Sequence, residues 1–183
     1  MPGASGRDLE SGSFPDRRFA VSPAILAVAA LVAAAPAADV QQAPSCQHCG
    51  MDRERFGHSR MVIEYEDGKS VGTCSLHCAA VELAVAIDRV PRRILVADRD
   101  TRELVDAERA VWVLGGKEPG VMTGRAKWAF RDRAAAEAFV ARAGGELVSF
   151  EDAIAAAYQD MYRDTRAIRE RRRAHRQAPP PRP

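Results

Sequence analysis

Long apolar runs are missing from this 183-residue chain. Its main uncharged apolar stretch, residues 24–35, has only twelve residues. That is too short to cross a bilayer as a stable helix. Arg17 and Arg18 precede it, and Ala35-Pro36-Ala37 follows as a small-x-small cleavage site. Residues 1–37 therefore read as an export signal, with an uncleaved anchor as the alternative. Arg17-Arg18 also suggests the twin-arginine route, but Phe19 follows directly and the usual polar spacer is absent. A lipobox is missing too: Gln42-Ala43-Pro44-Ser45 has no leucine before Cys46, which argues against lipid attachment. Cysteine is absent outside residues 46–78, so any thiol or metal chemistry is confined there. No aromatic stacking pattern accompanies the arginines, which with export excludes nucleic acid as a partner.

The charge is not of one sign overall, at +2, but it is unevenly placed. Residues 38–162 carry 16 basic and 20 acidic side chains, a net −4. Residues 163–183 carry eight arginines against Asp164 and Glu170, a net +6, and end in Pro179-Pro180-Pro181. Residues 161–183 read as a solvated helix end running into a Pro-rich tail. The alternative is contact with a membrane surface or an acidic partner. Residues 38–45 read as a short polar linker. Residues 46–160 suffice for one compact domain, or two very small modules sharing a core.

From Ser59 the pattern is β-like. Met61, Ile63 and Tyr65 alternate with Val62, Glu64 and Glu66, Asp67-Gly68 makes a hairpin turn, and residues 69–73 return as a second strand. Ser75 is placed to cap a nearly all-apolar, buried helix over 76–88. Pro91 breaks the chain before a strand at 93–97. The order then recurs: strands at 110–114 and 125–130, a helix over 134–143 capped by Asp132 and ended by Gly144-Gly145, and a strand at 146–149. The fold class predicted is α+β: two strand-strand-helix-strand modules, about 58–98 and 109–149, packed together. Ser149-Phe150-Glu151-Asp152 is a capping-box start for a closing helix to about Arg172.

What is present in concentrated form is soft ligand chemistry. Cys46-Gln47-His48-Cys49-Gly50-Met51 is followed by Cys74-Ser75-Leu76-His77-Cys78. Thiolates, thioethers and imidazoles hold Cu(I) or Zn. With Ser75 at the cap, His77 and Cys78 fall in the first helical turn, where the dipole favours a thiolate on Cys78. Three readings compete: a closed structural Zn site, disulfide chemistry in an oxidising compartment, and Cu(I) transport, which Met51 favours. Met61, Trp112 and Trp128 read as packing residues, and His58 as a surface residue at a strand edge. Met122, in a Gly/Pro-rich turn, reads equally well as packing or as a movable ligand.

Cys49-Gly50-Met51, the Gly120-Val121-Met122-Thr123 turn and Ala129-Phe130 resemble the NosL family, the accessory proteins of nitrous oxide reductase. The resemblance covers nearly all of residues 46–160. It implies a non-catalytic, exported, periplasmic Cu(I) metallochaperone built from two similar α+β modules, with the reductase or a related copper enzyme as acceptor. Cys49 and Met51 match the family's ligands, and Met122 matches the methionine of the second motif. Cys46, Cys74, His77 and Cys78 go beyond that motif and resemble a cysteine-rich branch. The alternative function is a thiol-disulfide oxidoreductase or a Zn-stabilised structural protein.

Overall fold

The computed structural model describes residues 37–177. Residues 1–36, nearly all of the segment read as an export signal, and the Pro-rich end, 178–183, lie outside the described residues. Every strand pairing within the two sheets is antiparallel.

The first module opens with β1 (Met61–Tyr65) and β2 (Ser70–Thr73), joined through Asp67-Gly68. Gly68 adopts φ +81°, and the Asp67 carboxylate accepts the Lys69 N–H at 3.0 Å. That Asx turn sets the register Met61↔Thr73. Helix α2 (Leu76–Val85) and β3 (Pro91–Ala97) follow. The second module has β5 (Val111–Leu114), β6 (Lys127–Phe130), α3 (Arg133–Ala143) and β7 (Glu146–Val148). Between them lies β4 (Leu104–Asp106), paired to the free edge of β3. Sheet orders are β2-β1-β3-β4 and β6-β5-β7. The first strand of each module is central in both, so the modules share one topology and the fold is the expected α+β duplication.

One core unites the modules. Met61, Ile63 and Tyr65 of β1 meet Leu76 and Ala79 of α2, Trp112 of β5, Ala129 of β6 and Phe150 of α4 (Phe150–Gln177). The Ser149 hydroxyl accepts the Asp152 N–H at 3.1 Å while the Asp152 carboxylate accepts the Ser149 N–H at 3.3 Å, a reciprocal capping box. Helix α4 packs on α2 and β5. Lys127 and Asp160, both buried, form a 2.7 Å ion pair that ties β6 to α4. From Thr165 to Gln177 every residue is exposed, and the arginines of this stretch lie on that solvated end.

Three local features differ from the sequence reading. Residues 38–42, read as linker, form helix α1 (Ala38–Gln42), because the Asp39 carboxylate joins Arg53 and Arg60 at 2.9 Å each. Helix α2 stops at Val85, short of residue 88. The chain turns there so that the Arg89 guanidinium stacks on the Tyr65 ring, 3.6 Å from its centroid. Strand β4 was not anticipated, since three residues in a charged stretch carry no readable alternation.

Candidate metal centre

The loop Cys46–Met51 folds on itself. The Cys46 N–H donates to Met51 O at 2.8 Å and the Gly50 N–H to Cys46 O at 2.9 Å. Gly50 takes φ +73°, the turn conformation that glycine adopts without a side-chain clash. Ser45 pairs with Asp52 just outside the loop. Beneath it lies Arg53, fully buried, which sequence reasoning did not single out. Its guanidinium donates to Thr73 O, Met61 O, Asp39 O and Ala43 O. A Cβ on Gly72 would come within 2.6 Å of the Arg53 guanidinium carbon, so only glycine leaves room for it. Arg53 thereby fixes the loop against the end of β2. The signal that could have found it is an arginine two residues after a ligand motif, facing a glycine in a strand.

This docking brings the two cysteine clusters together. The Sγ atoms of Cys46, Cys49, Cys74 and Cys78 all lie within 4.8 Å of one another. Cys49 Sγ is 3.5 Å from Cys74 Sγ, and Cys74 Sγ is 3.7 Å from Cys78 Sγ. A metal–sulfur bond of about 2.3 Å in a tetrahedron requires sulfurs ~3.8 Å apart. The two contacts made by Cys74 match that spacing, and the other sulfurs lie within about 1 Å of it at most. Cys46, Cys74 and Cys78 are buried, Cys49 is half-buried, and all four are free thiols. Cys74 directly follows β2 and Cys78 sits in the first turn of α2, so these two are held by regular elements, while Cys46 and Cys49 lie on the loop.

Proton affinity is distributed unevenly among the four. The hydrogen bond shared with Cys78, with further bonds from Cys49, Ser75 and Cys46, lowers the Cys74 pKa to about 6 against the effect of burial. The same hydrogen bond, together with burial, pushes Cys78 up. Burial also raises Cys49 to about 11, opposed by the Met51 N–H that bonds its sulfur. The downward shift thus falls on Cys74, whereas the helix N-terminus would favour a thiolate on Cys78. The physical reason is local: Cys74 shares hydrogen bonds with the other three thiols, and these lower its pKa. Ser75 occupies the N-cap position without a side-chain capping bond; its hydroxyl lies 3.8 Å from Cys74 Sγ.

The remaining candidates fall elsewhere. Met51 packs against the apolar cluster that contains Cys46, Cys74, Cys78, Trp128 and Phe139. Val121 belongs to the same cluster, while its neighbour Met122 is 41% exposed at φ +61°. His77 stands outside the four-thiol group. Its ring is desolvated, which lowers its pKa, and its charged neighbours are Asp164 and Asp160 of α4 and Lys127 of β6. His58, expected at the surface, is half-buried against Trp128, with ring centroids 5.3 Å apart.

Glu82 was also missed. It is buried on α2, one turn beyond Cys78. It accepts the Tyr65 hydroxyl at 2.9 Å and contacts His48 Nε2 at 2.8 Å. A lone carboxylate in an otherwise apolar helix, four residues after a ligand, is the signal that marks it.

Among known proteins, the copper chaperone NosL from Shewanella denitrificans is similar in structure, with 21% identity and a TM-score of 0.48. The match covers 58% of this chain and 87% of that one. No curated protein matches the sequence significantly. The NosL family profile matches residues 36–158, about two thirds of the chain, with all four cysteines inside it. The chain belongs to the NosL family.

Proposed function

We propose that this chain is an exported Cu(I) carrier, a metallochaperone and not a catalyst, that delivers copper to a periplasmic enzyme. The observation that carries this reading is the four-thiol pocket, drawn from two separate parts of the chain, with Met51 beside it. Thiolate and thioether donors select Cu(I) over hard cations. The resemblance names nitrous oxide reductase as the acceptor, and the copper-chaperone description of the solved Shewanella protein agrees with copper as the cargo. Cys49, the least buried of the four sulfurs, is the natural point at which an incoming acceptor ligand displaces a donor. The arginine-rich end of α4 supplies a cationic surface for an anionic membrane or an acidic partner. Titration of the reduced chain with Cu(I) against bathocuproine disulfonate tests this function. Tight, cysteine-dependent binding is expected. Absence of tight binding together with rapid disulfide turnover would make the chain a thiol oxidoreductase instead.

A second reading has its own support. Four cysteine sulfurs within 4.8 Å of one another, three of the residues buried, also suit a structural Zn ion. Preference for Zn over Cu(I), with unfolding when Zn is chelated, is the outcome that would favour it.

A further inference from the structure

Besides the sulfur contacts of its cysteines, the loop that brings Cys46 and Cys49 to the pocket is bonded to the body through Gln47 and His48. The Gln47 N–H donates to Gly72 O at 3.2 Å. The His48 ring, Nε2, bonds Glu82 Oε2 at 2.8 Å. The second is the stronger kind, because its acceptor is a carboxylate in a largely buried setting. His48 lies between Cys46 and Cys49 in sequence. Glu82 lies one helical turn beyond Cys78, on the same face of α2. The loop therefore lies along the helix, with His48 over Glu82 while the two loop cysteines approach Cys78 and Cys74.

Glu82 is itself held in place. Its Oε1 accepts the Tyr65 hydroxyl at 2.9 Å, and the Arg89 guanidinium, stacked on that ring, lies 3.7 Å from the same oxygen. A carboxylate fixed from β1 and from the turn after α2 cannot follow the loop if the loop lifts. The His48 side chain, by contrast, is 21% exposed and belongs to the loop. The contact therefore joins the outer part of the loop to a carboxylate held from two other elements. Cys74 and Cys78 sit beside β2 and on α2 while Cys46 and Cys49 sit on the loop, so lifting the loop's tip would halve the number of sulfurs around a bound ion.

We propose that Glu82 is a positioning residue that latches the cysteine loop shut through His48, and that opening of this latch sets the rate at which bound copper leaves. The proposal rests on the Cu(I)-carrier reading. It differs from a purely structural role in one respect: the latch acts on metal exchange and on access to Cys49, with no change in which sulfurs bind.

The test uses the reduced full chain and three variants, His48→Ala, Glu82→Gln and His48→Gln. The last keeps a side-chain N–H that reaches the carboxylate. Copper release from the Cu(I)-loaded chain to bathocuproine disulfonate is followed by stopped flow. Alkylation of Cys49 by iodoacetamide in the metal-free chain is followed by mass spectrometry. Loss of one charge-assisted hydrogen bond should speed release in His48→Ala and Glu82→Gln by about ten- to a hundredfold. Cys49 alkylation should accelerate in the same two variants, and His48→Gln should restore both rates towards the parent. If Glu82→Gln fails to fold, His48→Ala against His48→Gln still decides. Parental alkylation rates in His48→Ala overturn the latch, as does faster alkylation with unchanged copper release. Failure of the parent to bind Cu(I) removes the carrier reading instead, and the alkylation rates then decide the latch alone.

Discussion

Cys49 Sγ lies 3.5 Å from Cys74 Sγ although 25 residues separate them in the chain. The contact exists because the β1–β2 hairpin returns the chain to its starting point and Arg53 pins the preceding loop against Gly72. Each cluster alone offers two thiols; together they enclose one volume.

Ligand substitutions should follow this geometry. Cys49→Ser and Cys74→Ser should each weaken Cu(I) binding by roughly a hundredfold or more, since each removes a direct sulfur donor and such losses exceed those of outer-sphere changes. Met51→Leu should cost less, because a thioether carries no charge. Competition with a Cu(I) chelator ranks the variants. Parental affinity in Cys49→Ser would remove that residue from the ligand set.

The reduced, metal-free chain should show one thiolate forming near pH 6, read as absorbance near 240 nm. The sign follows from the shift. The Cys74 pKa is lowered to about 6, so its thiolate is present above that pH and is lost below it. Cys49, raised to about 11, stays protonated through neutral pH. Cys74→Ser should abolish the step near pH 6. A single step near pH 9 in the parent would contradict the hydrogen-bonded cluster.

Acid should loosen the N-terminal helix. Burial works to raise the Asp39 pKa, but the Arg60 and Arg53 guanidiniums hold it below the ordinary carboxylate value. A depressed carboxylate pKa contributes stability above the unfolded value, lost as pH falls through the folded one. Asp39→Asn should therefore lower stability at neutral pH and flatten its dependence below about pH 4. Urea denaturation midpoints at several pH values measure this; parallel pH curves for parent and variant would refute it.

The Lys127–Asp160 pair should be costly to break. Both side chains are nearly inaccessible, and Asp160 also accepts from Arg125 at 3.1 Å. Asp160→Asn leaves the Lys127 ammonium with a weaker partner, and removal of one member of a buried pair typically costs about 3–5 kcal/mol. Thermal unfolding should show a clear drop in Tm, whereas Arg166→Ala, on the solvated part of the same helix, should change stability by less than about 0.5 kcal/mol.

Met122 separates packing from exchange. Its side chain is 41% exposed, so Met122→Leu should leave Tm within the range of an ordinary surface change. If it serves as a transient copper ligand, the same variant should slow transfer of Cu(I) to an acceptor without changing equilibrium affinity by more than about threefold. Equal transfer rates would return Met122 to a packing role.

The sequence by itself determined the duplicated order of this protein and its strands and helices other than α1 and β4, because alternation, turn residues and helix stops are local signals. Met61-Val62-Ile63, Asp67-Gly68 and Gly144-Gly145 each specify their own conformation within a few residues. It also marked the four cysteines as soft ligands, since side-chain chemistry does not depend on the fold. Tertiary structure alone decided how those ligands meet. That Cys49 meets Cys74, and that Arg53 and Glu82 frame the loop, depend on pairs 14 to 34 residues apart, such as Arg53–Asp39, Cys49–Cys74 and His48–Glu82. Such pairings depend on where packing places each backbone, and no local pattern encodes them.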